Sequence, residues 1–125
     1  MAIQNVILTD TQLDALTVPA GKSYAITNVL VCNTYSPFST PPYTDDPLDH
    51  DASFDMHIIP SSGSLNIRKT CVVRELALPA GETFTFDSER IVLEEGDTLT
   101  FVAQGDNDYG DGTTDLSATI SYLEV

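Results

Sequence analysis

Hydrophobic and polar residues alternate with a period of two along most of the chain. Phe54, Met56 and Ile58 are interleaved with Asp55 and His57, and Phe84 and Phe86 with Thr83 and Thr85. Leu99, Phe101 and Ala103 continue the pattern, and the chain closes with Leu116, Ala118, Ile120 and Tyr122 set against Ser117, Thr119 and Ser121. A period of two puts successive side chains on opposite faces of a pleated strand, so each run reads as half-buried. No window carries apolar residues at helical spacing over three turns. Strands are predicted near 3–9, 12–18, 23–34, 52–59, 65–77, 82–88, 90–94, 98–104 and 115–124. Eight or nine short strands separated by turn signals predict an all-β fold, a two-sheet antiparallel β-sandwich of jelly-roll-like type.

One phrase occurs twice. Leu16-Thr17-Val18-Pro19-Ala20-Gly21-Lys22-Ser23-Tyr24 is matched by Leu76-Ala77-Leu78-Pro79-Ala80-Gly81-Glu82-Thr83-Phe84. In each, proline is expected to preset the dihedral at the second position of a tight turn, and glycine to supply the positive φ before the next strand. The two are read as equivalent hairpin corners. Glu94-Glu95-Gly96-Asp97 reads as a third turn, a short hairpin loop. Two copies 60 residues apart do not make a solenoid repeat.

Two segments break the alternation. Residues 35–51 hold four of the seven prolines, whose missing N–H donors rule out a central strand. This 17-residue loop exceeds ordinary connections and carries Tyr35, Phe38 and Tyr43, as expected of an ordered loop lying on a surface. Residues 105–115, rich in glycine and acid and containing Tyr109, read as an exposed connection between the last two strands.

Composition bounds the picture. The 125 residues suit one domain, 1–125, around a single core. Hydrophobic residues make up 42% and no apolar run approaches the ~20 residues of a membrane helix, so a soluble protein is expected. The N-terminal residues lack the pattern of a secretory signal. Five basic residues against nineteen acidic ones give a net charge of −14. That sign repels phosphate backbones and anionic lipid, so neither nucleic acid nor membrane is an expected partner. The acidity is expected to belong to an outward face. Arg68, Lys69 and Arg74 fall in one strand region, with Arg68 and Arg74 on a shared face, and are read as internal partners for the acids.

Candidate chemistry is sparse. Cys32 and Cys71 lie in apolar runs and read as small buried residues, with a disulfide the alternative in an oxidising medium. Asp106, Asp108 and Asp111 invite a calcium reading, but the EF-hand pattern fails: Gly110 stands at position five, Asp111 where glycine belongs, and Ser117 where the bidentate glutamate belongs. Asp45, Asp46, Asp49 and Asp51 around His50 read as a solvated acidic loop. His50 and His57, the only histidines, are expected at the surface, His57 on the polar side of its strand. No phosphate-binding glycine loop, nucleophile elbow or histidine-paired cysteine is present. No enzyme activity, cofactor or metal is expected.

Taken together, Ile3-Gln4-Asn5-Val6-Ile7-Leu8, the run from Val18-Pro19-Ala20-Gly21 to Cys32-Asn33-Thr34, Leu78-Pro79-Ala80-Gly81-Glu82-Thr83-Phe84 and Leu93-Glu94-Glu95-Gly96-Asp97-Thr98-Leu99 resemble small structural proteins of tailed bacteriophages, especially cyanophages. The resemblance covers most of the chain outside the two loops. It implies a β-sandwich mounted on a virion and assembled in the host cytoplasm. The leading expectation is a capsid decoration or cement protein that binds the major capsid protein or other virion proteins, as a homo-oligomer. The alternative is a neck or tail component, or a receptor- or glycan-binding module that uses loops 35–51 and 105–115, with Tyr35, Phe38, Tyr43 and Tyr109 as anchors.

Overall fold

The alternating runs form two four-stranded antiparallel sheets laid face to face. The computed structural model describes residues 2–35, 51–105 and 113–125, with the backbone alone at 88–90. The strands are β1 (Ala2–Thr9), β2 (Leu13–Thr17), β3 (Tyr24–Asn33), β4 (Ala52–Ile59), β5 (Cys71–Leu78), β6 (Thr83–Leu93), β7 (Thr98–Gln104) and β8 (Thr113–Glu124). One sheet has the order β1-β8-β3-β6 and the other β2-β7-β4-β5.

This order has a simple logic. β4 pairs with β5, β3 with β6, β2 with β7 and β1 with β8, so the chain runs out to β4 and returns from β5 as one long antiparallel hairpin. Further pairing of β3 with β8 and β4 with β7 rolls that hairpin into two sheets. The result is a jelly roll. Phe54, Met56, Leu99, Phe101 and Ala103 of one sheet face Val29, Val31, Leu116, Ala118 and Ile120 of the other, all buried in one core.

The topology corrects the reading of the turns. β2 and β3 lie in different sheets, as do β5 and β6, and β6 and β7. The Pro-Ala-Gly segments and Glu94–Asp97 are therefore arches between sheets and not hairpin loops; only β4 and β5 are consecutive partners. Each arch closes on a hydrogen bond from its fourth residue to its first: Lys22 N–H to the Pro19 carbonyl at 3.2 Å, Glu82 to Pro79 at 3.1 Å and Asp97 to Glu94 at 3.0 Å. Proline thus stands first in the turn, not second. Gly21, Gly81 and Gly96 hold the third place at φ of 77°, 81° and 84°, the left-handed value a type II turn requires there. Pro60–Gly63 closes in the same way, with Ser62 at φ 65° in the place glycine takes elsewhere, a substitution that costs ~1–2 kcal/mol of backbone strain.

Two strand boundaries also differ from expectation. Residues 65–70 are not strand. Asn66 folds its side chain onto the Arg68 N–H at 3.0 Å, and its carbonyl accepts from the Lys69 and Thr70 amides at 2.9 and 2.8 Å. Such local capture competes with a ladder, so Arg68 lies in a turn and shares no strand face with Arg74. The runs 82–88 and 90–94 form one strand, β6, whose register with β3 shifts between Ile26 and Asn28. Counting the two arms separately gives nine strands.

Candidate functional site

Two features stand out once the side chains are in place: a polar cluster under the β4–β5 connection, and the outer face of the β1-β8-β3-β6 sheet.

The cluster begins at a bulge. Phe54 pairs with Leu76 and Met56 with Val73, so Asp55 faces both Arg74 and Glu75. The extra residue forces Glu75 to φ 46°, in the left-handed region. The Asp55 carboxylate spans the kink, accepting the Glu75 N–H at 2.7 Å through Oδ1 and Arg74 Nη1 at 2.6 Å through Oδ2. That hydrogen bond is the first cause of a raised Arg74 pKa. Arg74 also reaches Glu75 Oε1 at 3.1 Å.

His57 is the main correction to the sequence reading. It lies on the polar side of β4, as expected, yet its exposure is 0%. The β4–β5 connection folds back over it: Thr70 accepts the Ile58 N–H at 2.9 Å through its carbonyl, and its Oγ1 stands 2.9 Å from His57 Nδ1. Thr70 Oγ1 donates to the Asn66 carbonyl, which assigns the imidazole proton to Nδ1. His57 Nε2 is then left enclosed without a hydrogen bond, 3.8 Å from Asp55 Oδ2.

Burial holds the His57 pKa below its ordinary 6.5, against the pull of Asp55 and with added repulsion from Arg74. Burial, followed by Asp55, likewise raises the Cys71 pKa, and its Sγ donates to the Val73 carbonyl at 3.1 Å. A neutral, enclosed imidazole beside a protonated thiol offers no activated nucleophile. The cavity next to Asp55 and Arg74 is about 20 Å³, space for a single water. The cluster is a clasp that ties the connection and the bulge to the sheet.

The buried histidine predicts an acid-sensitive fold. Unfolded, His57 takes up a proton near 6.5; folded, it does so only at lower pH. The unfolded chain therefore binds more protons across that interval, and stability falls as pH drops through 6.5 toward the folded-state value. Urea unfolding one pH unit either side of 6.5 should show a lower midpoint on the acid side. The difference should shrink in His57→Gln, which isolates this group from the carboxylates.

The second feature is a face. On the outer side of β1-β8-β3-β6, rows run Ile7–Ser117–Cys32–Thr83, Asn5–Thr119–Leu30–Thr85 and Ile3–Ser121–Asn28–Asp87 across the four strands. Ala25, Leu123 and Val92 extend it. Ile3 and Ile7 are 61% and 60% exposed. Among the described side chains this face carries Asp87, which accepts from Asn28 Nδ2 at 2.7 Å, and, at its end beside Ile7 and Ser117, the largely buried Asp115. On a chain of net charge −14, the expected acidic outward face is thus not this one. Asp14, Asp55, Arg74 and Glu75 stand on the other sheet, and Glu82, Glu94, Glu95 and Asp97 lie in the arches.

The remaining predicted residues divide. Tyr35 is half-buried, its N–H donating to Asn33 Oδ1 at 3.1 Å. Phe38, Tyr43, Tyr109, His50 and the calcium candidates Asp106, Asp108 and Asp111 lie outside the described residues. No group of three or more histidine, cysteine or acidic residues placed to hold a metal occurs among the described residues. Cys32 and Cys71 are free thiols, half-buried and not buried as expected, in different sheets. The charge-poor face was readable in hindsight, because positions 3, 5, 7, 30, 32, 83, 85, 117, 119 and 121 carry no charge. The enclosure of His57 had no local signal. Comparison with known proteins gives no match, whether to a family model, a curated protein or a solved structure.

Proposed function

We propose that the chain is a structural protein of a virus particle, a capsid decoration or cement protein that docks on the outside of the shell and stabilises it. The observation that carries this reading is the exposed outer face of β1-β8-β3-β6, built mostly of aliphatic and hydroxyl side chains, with Asp87 its one exposed charge among the described residues and Asp115 largely buried at its end. Depletion of charge with retained aliphatic surface characterises the centre of protein interfaces. A rigid four-stranded face can add one modest contact per copy, and repetition over a lattice supplies the strength. The phage resemblance of the turns and strands points the same way. Mass spectrometry of purified particles tests it: on the order of hundreds of copies supports decoration, whereas absence from particles overturns the reading.

A second reading rests on a different observation. Thr34 and Asp115, at the roots of the two long loops, are joined by Thr34 N–H and Oγ1 bonds to the Asp115 carbonyl, both at 2.9 Å. Gly105 packs on Ala52, where an added Cβ would come within 2.6 Å. All four loop roots thus sit at one end of the sandwich. That placement suits a neck or tail component or a receptor- or glycan-binding tip, for which a few tens of copies or fewer are expected.

A further inference from the structure

The sandwich has four edge strands, and three of them are blunted. β2 is five residues long, bulged between Asp14 and Leu16, and carries Asp14. β5 holds the bulge at Arg74 and Glu75. β6 breaks register opposite Thr27 and carries Asp87. Bulges, short strands and charges are the usual means of stopping an edge from pairing with another chain. β1 has none of them from Ala2 to Ile7. Its register with β8 runs unbroken from Ala2–Tyr122 to Ile7–Ser117, its eight residues include no charge, and among the described residues no strand pairs with its far side.

We propose that β1 pairs antiparallel with β1 of a second copy of this chain, about a two-fold axis at Asn5. An antiparallel strand is its own complement, so the contact is isologous and closes at two copies. Two chains of charge −14 repel wherever carboxylates meet. β1 is the edge along which they meet with no ionised side chain on either strand.

The side chains specify the register. Centred on Asn5, Ile3 falls opposite Ile7 of the partner subunit and Ile7 opposite Ile3 of the partner subunit, giving two aliphatic cross-strand pairs from residues now exposed. Asn5 Oδ1 accepts from Thr119 Oγ1 at 3.0 Å, which leaves its amide N–H to donate across the axis to Asn5 of the partner subunit. That reciprocal amide pair needs an identical strand. The two sheets become one of eight strands, with the charge-poor face continuous across the axis. A six-residue edge buries less than a standard interface, so the dimer dissociates on dilution. The inference does not rest on the virion reading, because absence from particles would leave it standing and a monomer in solution would leave the docking face intact.

Sedimentation equilibrium of the full chain over a hundredfold range of concentration tests it, with thermal unfolding confirming that each variant folds. The chain is expected to dimerise reversibly. Ile7→Glu, which buries a carboxylate opposite Ile3 of the partner subunit, should weaken the dimer about tenfold or more. Adding Ile3→Lys should restore it, since each introduced lysine then faces an introduced glutamate across the axis. Within one copy those positions are ~13 Å apart, too far to pair. Leu30→Glu, on the same face but two strands away, should leave dimerisation unchanged. A wild-type chain that stays monomeric throughout overturns the proposal. So does failure of the double variant to recover, or dissociation by Leu30→Glu while Ile7→Glu has no effect.

Discussion

Phe54→Ala is expected to destabilise the fold by about 3–5 kcal/mol, the usual cost of emptying a buried phenylalanine site. Phe54 is 1% exposed at the middle of β4, and its ring joins the two sheets. Its centroid lies 5.7 Å from that of Phe84 on β6 and 6.2 Å from that of Phe101 on β7, both tilted, in the range where aromatic pairs attract. Truncation removes apolar burial and both ring contacts, and the surrounding strands cannot collapse into the gap without breaking ladder bonds. For a domain of this size the loss corresponds to a fall in Tm of roughly 10–20 °C, measurable by calorimetry. Phe54→Leu should cost less than half as much, because it keeps most of the volume. A cost for Phe54→Ala below 1 kcal/mol would mean that the two sheets are not packed through this ring.

Asp55→Ala comes next, with an expected loss of about 2–3 kcal/mol. The carboxylate is 8% exposed and accepts the Glu75 amide at the left-handed residue of the bulge. Without it that amide loses its acceptor in a partly buried site, and nothing offsets the strain of a non-glycine residue at positive φ. Arg74 is half-exposed and recovers water, so its loss of partner adds little. Asp55→Asn should fall between wild type and alanine, because an amide oxygen can still accept from Glu75 but no longer attracts the guanidinium. Chemical denaturation of the three proteins should give that order. Equal stability of all three would show that the bulge holds without its bridge.

The strands were legible because burial on one side of a sheet writes itself into every second residue. β8 follows the alternation from Leu116 to Ser121 residue for residue, and the inward positions Phe54 and Met56 of β4 and Leu99, Phe101 and Ala103 of β7 are all buried as it predicts. The reading failed where a local hydrogen bond or a distant segment took over. Asn66 turned residues 65–70 away from the predicted strand, and the same connection then covered His57, a residue that alternation alone placed in solvent. The turn residues were recognised, but whether a Pro-Ala-Gly turn closes a hairpin or crosses between sheets is not a property of the turn. Both uses need the same positive φ at glycine.

Much the same division holds for the candidate surfaces. The sequence by itself determined an all-β chain, the three glycine turns at Gly21, Gly81 and Gly96, the excess of acid, and which residues of the regular runs share a face, because these follow from local backbone preferences, a two-residue period and a count of charges. Only the tertiary structure decided which strands are neighbours, and so which uncharged positions of β1, β8, β3 and β6 merge into one face. It also decided that β1 is the unblunted edge and that Asp55, His57, Thr70 and Arg74 meet. The reason is physical: strand pairing is made by backbone groups that every residue carries, and its register is settled by the simultaneous packing of both sheets, so no short stretch of sequence encodes it alone.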